Sequence, residues 1–219
     1  MSIATMILGQ SGTGKSTSLR NMQPEQTLLI QAVKKPLPFR AKEWAYYDKE
    51  TTPKGNLFVT DNSAQIIKIM QATQRPIIII DDFQYILANE FMRRVLDKET
   101  GNAAFAKYNE IARNAWDILM AASNLEGNKR VYILGHTQED DNGKIKAKTI
   151  GKLLDEKITV EGLVTLVLRT HVINGAYIFS TKNNGVDTVK TPLGMFEDEH
   201  IENDLLAVDK AITEYYDIK

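Results

Sequence analysis

The octapeptide Gly9-Gln10-Ser11-Gly12-Thr13-Gly14-Lys15-Ser16 constrains this chain more than any other feature, because it matches G-x-x-x-x-G-K-[ST]. Its setting is the one the pattern needs. Ile3 to Leu8 is an unbroken apolar run that reads as a buried strand, and Ser16 to Asn21 reads as the start of a helix. The glycines let backbone wrap closely around an anion where a Cβ would collide. The N–H groups of such a loop turn partial positive charge toward the anion. Lys15 adds a full charge, and the Ser16 hydroxyl is a ligand for a divalent cation. Thr17 lies one position past the pattern, where it supports the helix start or, as the lesser alternative, touches the base or α-phosphate of a bound nucleotide. The plain alternative, a glycine-rich turn that happens to hold a lysine, leaves the strand–loop–helix order unexplained.

A second segment completes the first. Ile77-Ile78-Ile79-Ile80-Asp81-Asp82 is four aliphatic residues followed by two acids, the pattern known as Walker B. An uninterrupted β-branched run belongs to a strand covered on both faces, as in parallel sheets. Such a strand delivers Asp81 beside the phosphate loop, where it can hold Mg²⁺ opposite Ser16. Asp82 is placed to polarise a water attacking a γ-phosphate. It is equally readable as a strand-end acid, since successive side chains on a strand face opposite ways. Glu43 and Glu50, after the second strand, are rival bases. Together the two segments predict an Mg²⁺-dependent nucleotide site. The guanine-reading motif Asn-Lys-x-Asp is absent, which favours ATP.

The rest of the chain fits around them. Short apolar strands are expected at Thr27 to Ile30, Leu57 to Thr60, Val131 to Leu134, Leu163 to Leu168 and Tyr177 to Phe179. Between them, Asp61 is expected to cap a helix that carries Ile66, Ile67 and Met70. A later helix carries Phe105, Tyr108, Ile111, Ala115, Ile118 and Ala122 at helical spacing, read as core. Pro36, Pro38 and Pro53 break regular structure between residues 32 and 56. Strands alternating with helices predict an α/β fold with a mainly parallel central sheet. No linker, repeat or low-complexity stretch divides the 219 residues, so one domain over 1–219 is expected.

Composition narrows the function. Lys+Arg of 27 against Asp+Glu of 28 gives no global attraction for nucleic acid or membrane, so any such contact must be local. There is no cysteine, which excludes disulfides, thiolate metal sites and thiol catalysis and fits a reducing compartment. Residues 1–6 have no basic n-region, and the longest aliphatic run is Ile77 to Ile80, far short of a membrane span. A cytoplasmic protein is expected. The strand ending Leu134-Gly135 is followed by His136-Thr137-Gln138. This resembles the P-loop ATPases that insert a strand between the two motif strands, in which the polar C-terminal end of that strand reaches the γ-phosphate; the resemblance implies His136, ahead of Gln138, as the group that senses it.

The order of these motifs resembles the RecA-like P-loop ATPases. More closely, it resembles small phage-encoded ATPases of the AAA-domain group related to RecA, some linked to single-strand annealing recombination. The likeness is carried by Gly9 to Thr17, Lys35-Pro36-Leu37-Pro38-Phe39-Arg40 and Asp81-Asp82-Phe83-Gln84-Tyr85. It continues through Gly151-Lys152-Leu153-Leu154-Asp155-Glu156-Lys157 and Lys190-Thr191-Pro192-Leu193-Gly194-Met195-Phe196. It implies a RecA-like core, ATP hydrolysis with Mg²⁺, a homo-oligomer, and single-stranded DNA or a DNA-annealing or single-strand-binding protein as partner, in a phage-infected host. RecA-like recombinases usually end the second strand with a glutamate base, whereas this strand ends Leu29-Ile30-Gln31-Ala32, which shifts that role toward Asp82. The resemblance also implies a basic residue acting in trans, for which Arg169 and Lys182 are candidates. It implies a DNA-contacting loop at Gln138 to Lys157, where Lys144, Lys146, Lys148 and Lys152 lie. The other reading of those lysines is a solvated hairpin guarded by charge. Two other functions are compatible with the loop: a kinase of a small metabolite or nucleotide, against which the arginine-free segment 138–157 counts, and a non-catalytic nucleotide switch.

Overall fold

The protein is described by a computed structural model covering residues 2–96, 102–151 and 153–218, with the backbone alone at 102–105 and 155. Strand β1 (Ile3–Leu8) is buried along its whole length and runs into the glycine-rich loop, after which Ser16–Asn21 forms a six-residue 3-10 helix. Then come β2 (Thr27–Gln31), β3 (Leu57–Val59), α1 (Ser63–Ala72), β4 (Ile77–Asp81), α2 (Gln84–Arg93) and α3 (Asn102–Ser123). The second half holds β5 (Arg130–Gly135), β6 (Thr137–Glu139), β7 (Ile145–Ala147), β8 (Leu166–Ile173), β9 (Ala176–Ser180), β10 (His200–Glu202) and α4 (Leu205–Tyr215).

Eight strands form one sheet in the order β10-β9-β8-β1-β5-β4-β2-β3. From β8 to β3 every pairing is parallel, and β9 and β10 add two antiparallel strands at one edge. The parallel part explains the unalternated sequences of β1, β4 and β5, because both faces are covered. On one face Ala4, Met6, Leu8, Ile78 and Ile80 pack against Ile66 and Met70 of α1, Ile86 and Leu87 of α2, and Ile111, Ala115 and Ile118 of α3. On the other, Ile3, Ile7, Ile77 and Ile79 pack against Leu19 of the 3-10 helix and Leu205, Val208 and Ile212 of α4. Each such fully buried aliphatic side chain contributes roughly 1.5–3 kcal/mol. The architecture is α/β, with the strand–loop–helix and parallel sheet of a P-loop NTPase core. Among the described residues, no helix is long and apolar enough to cross a membrane.

Several expectations shift in detail. Asn62, not Asp61, caps α1 through its side chain, which accepts from the Gln65 N–H, while Asp61 is bound by Asn89 and Arg93. The helix after the loop is a short 3-10 turn instead of a longer α-helix. The late strand begins at Leu166, not Leu163, because Val160–Leu163 is a 3-10 turn. β10 and α4 carry no strong pattern signal. β10 is held by its antiparallel pairing with β9, and α4 by a buried network in which Asp209 accepts from Arg130 Nε (2.9 Å), Arg130 Nη2 (3.0 Å) and Tyr132 Oη (2.5 Å). Phe105 of the α3 stripe lies outside the described side chains.

Candidate functional site

The C-terminal ends of β1, β5 and β4 lie side by side, with β5 between the two motif strands. That order places the loop after β1, His136 after β5 and Asp81–Asp82 after β4 at one rim, where ligands bind in open parallel sheets. In the loop, Gly12 and Gly14 have φ of 80° and 95°, a region that disfavours a side chain. A Cβ on Gly9 would overlap Thr170 Oγ1 and stand 2.6 Å from Thr13 Oγ1. Thr13 and Thr170 are themselves joined at 2.5 Å, so β8 braces the loop from the side.

Lys15 folds back over its own loop and donates to the carbonyls of Gly9 (2.9 Å) and Gln10 (2.8 Å). Burial pushes its pKa down to about 8, against the pull of Asp82 and Asp81. Ser16 Oγ lies 3.0 and 3.1 Å from the two Asp81 carboxylate oxygens. Asp81 is 1% exposed. Burial and then the neighbouring Asp82 charge push its pKa up to about 6, with Lys35, Ser16 and Lys15 opposing. The two groups are thus oppositely charged, desolvated and incompletely compensated. Thr17 sits partly buried in the 3-10 helix, and Ser18 instead bonds the Lys15 carbonyl.

Asp82 does not follow the alternation of the strand. It has φ 61°, the left-handed region that aspartate tolerates better than most residues. This kink directly after the strand end turns both acids into one cluster. Asp82 pairs with Lys35 through Oδ2, and His136 Nε2 stands 3.6 Å from its Oδ1. Burial opposes the Lys35 charge, yet the hydrogen bond it donates to Asp82 and the charges of Asp81 and Asp82 raise its pKa. Burial, then the Lys15 charge, lower the pKa of His136. The His136 N–H donates to Gln84 Oε1 at 3.2 Å, and its ring meets Tyr85 edge-on.

Other predicted residues lie apart. Glu43 and Glu50 are exposed on the 32–56 connection. Gln138 belongs to β6, paired with Lys146 of β7. Arg169 is held by the buried Asp187 at 3.1 Å, and Lys182 by the Glu197 carbonyl, so each is engaged within the chain. Lys144, Lys146 and Lys148 fall on the β6–β7 hairpin, a two-stranded sheet separate from the main one, and Lys152 lies outside the described residues. Ala147 faces inward and is buried, and Lys146, its neighbour, faces the other way. Asp140 accepts the Asn142 and Lys144 N–H groups across the turn. The Lys148 N–H donates to the His136 carbonyl at 2.8 Å, which ties the hairpin to the rim.

The described residues fit Mg²⁺ and a polyphosphate together. A hydroxyl and a carboxylate are the hard oxygen donors Mg²⁺ takes, few enough to leave positions for phosphate oxygens and water. No group of three or more His, Asp or Glu able to hold a metal occurs among the described residues. Thr170 has no motif to announce it. Lys35 and Gln84 lie in stretches that carry the resemblance, Lys35 to Arg40 and Asp81 to Tyr85, but nothing in the sequence assigns them these contacts.

No family model and no curated protein matches this chain. Among solved structures it resembles the genome packaging NTPase B204 from Sulfolobus turreted icosahedral virus 2, in complex with ATP-gammaS. The TM-score is 0.38 with 12% identity, over 84% of this chain and 78% of that chain. This is a likeness in outline, too slight to carry function across.

Proposed function

We propose that this chain is an Mg²⁺-dependent ATPase whose site is Gly9 to Thr17 with Asp81, Asp82 and His136. The observation that carries the reading is the pair of buried, opposed charges at one site, Lys15 folded over the loop and Asp81 against Ser16. Each is held away from its ordinary pKa by burial. An anion at Lys15 and a cation at Asp81 relieve both at once, which is what a metal–polyphosphate supplies.

Lys15 exchanges two neutral carbonyls for charged phosphate oxygens, which are stronger acceptors. Ser16 and Asp81 would hold Mg²⁺, which would supply neutralisation of phosphate charge. Asp82 takes the proton of a water whose oxygen bonds to the γ-phosphorus while the bond to the β-phosphate oxygen breaks. Lys35 must release Asp82 for this, and the γ-phosphate is the competing anion within its reach. His136, just beyond hydrogen-bond distance of Asp82, responds to the charge there.

The finer reading is a RecA-like domain spanning 1–219 that acts as a homo-oligomer in phage DNA recombination or single-strand annealing, in the host cytoplasm. Its support is the resemblance together with the hairpin, whose lysines adjoin His136 through Lys148. Single-stranded DNA or an annealing protein is the proposed partner. A second reading, a nucleotide switch without turnover, is favoured by one observation: Lys35 occupies the proposed base.

Phosphate release and nucleotide binding, each with and without single-stranded DNA, test the proposal. Lys15→Ala should lose binding. Asp82→Asn should bind but turn over roughly two orders of magnitude more slowly, the usual contribution of a positioned base. Unchanged turnover in Asp82→Asn would place the base elsewhere, and tight binding without turnover in the wild type would favour the switch.

A further inference from the structure

The strand order gives the candidate site a direction. Asp82 and His136, the groups for a terminal phosphate, lie after β4 and β5 on one side of β1. A polyphosphate laid over the loop from that end points its other end across β1, toward β8, β9 and β10. Two side chains wait there. A Cβ built on Gly14 would stand 2.9 Å from Tyr177 Cδ1 and 3.1 Å from Asn203 Oδ1, so both lie against the last glycine of the loop.

Their states differ in a telling way. Asn203 is 1% exposed, yet neither its Oδ1 nor its Nδ2 has a hydrogen-bond partner. Its backbone is fixed, since its N–H donates to the Tyr177 carbonyl at 3.2 Å and its own carbonyl accepts from Arg20. The carboxamide is therefore held in place beside the loop with its polar capacity unused, a costly arrangement unless something else uses it. Tyr177 is 47% exposed and is the backbone hydrogen-bond partner of Asn203 beside the loop. An aromatic ring beside a carboxamide, at the exit end of a phosphate loop, matches a nucleobase in both shape and chemistry.

We propose that Tyr177 and Asn203 form the nucleoside end of the site: Tyr177 stacks on the base, and the Asn203 carboxamide hydrogen-bonds its edge. A carboxamide presents one donor and one acceptor side by side, complementary to the N6 donor and N7 acceptor of adenine. This deepens the ATPase proposal and rests on it. It also assigns a task to β9 and β10, the two strands beyond the parallel sheet.

The test compares ATP with inorganic tripolyphosphate, each with Mg²⁺, by calorimetry. Tripolyphosphate reports the loop alone, and ATP reports the loop and the nucleoside end. In the wild type ATP should bind more tightly. Tyr177→Ala should weaken ATP about 10- to 100-fold, the range for loss of one base–aromatic stack, and leave tripolyphosphate unchanged. Tyr177→Trp should keep ATP affinity, and Asn203→Ala should weaken ATP selectively. Tyr177 is exposed, so its variants keep the test valid even if Asn203→Ala fails to fold. Equal affinities for ATP and tripolyphosphate in the wild type, or a Tyr177→Ala protein that loses neither or both alike, would overturn the proposal. A wild type that binds neither ligand would instead remove the ATPase reading beneath it.

Discussion

Replacing Asp81 with asparagine should make the protein more stable while removing its Mg²⁺-dependent nucleotide binding. Asp81 is 1% exposed, and its pKa rises from 3.8 to about 6 in the folded chain. The folded-state value lies above the unfolded one. Between the two the folded protein holds more protons, so stability falls as pH rises through that interval. Integrated, the penalty is about 3 kcal/mol, complete above pH ~6 and absent below pH ~4. Asparagine carries no charge to desolvate, and its Oδ1 still accepts from the Ser16 hydroxyl. For a chain of this size, about 3 kcal/mol corresponds to roughly 6–12 °C in melting temperature. Thermal and urea unfolding of both proteins at pH 4, 6 and 7.5 measure it. The Asp81→Asn advantage should be largest at pH 7.5 and shrink toward pH 4. A variant less stable than wild type at pH 7.5, or a difference that ignores pH, would refute the assignment of Asp81 as an undercompensated buried charge.

Nucleotide affinity with Mg²⁺ should be greatest between pH about 6 and about 8, falling on the acid side as Asp81 gains a proton and on the alkaline side as Lys15 loses one. A profile flat from pH 5 to 9 by calorimetry would contradict both roles. Asp209→Ala leaves Arg130 buried and unpaired, and should cost about 3–5 kcal/mol in urea unfolding. If the hairpin lysines track a single DNA strand, replacing Lys144, Lys146, Lys148 and Lys152 with alanine should flatten the salt dependence of oligonucleotide binding. The slope of log affinity against log salt should fall by up to ~3, with ATP affinity unchanged. An unchanged slope would return the tract to a solvated hairpin.

The parallel sheet was legible because β1, β4 and β5 are buried on both faces, and unbroken aliphatic runs such as Ile77 to Ile80 have few other uses. The loop was legible because its chemistry is local: eight consecutive residues hold the glycines, the lysine and the hydroxyl. What escaped were features that depend on contact across the chain. Alternation along a strand sets Asp81 and Asp82 on opposite faces, and only the left-handed kink at Asp82 brings them together. Lys35 reaches Asp82 from 47 positions away, and it lies in the 32–56 connection, which is broken by proline and has no periodic pattern. Arg169 reads as a free cation in sequence, but a buried partner 18 positions later holds it. Asn203 is an ordinary residue until the fold buries it against Gly14.

The measurement that bears most directly on the ATPase proposal is phosphate release from ATP by the wild type and by Asp82→Asn, with Mg²⁺ at pH 7 and with ATP binding measured on the same samples. Turnover is expected in the wild type, and binding retained with turnover lowered at least about 100-fold in the variant. Equal turnover in the two proteins would contradict the role of Asp82 and place the base elsewhere, and a wild type that neither binds nor hydrolyses ATP would contradict the ATPase proposal itself.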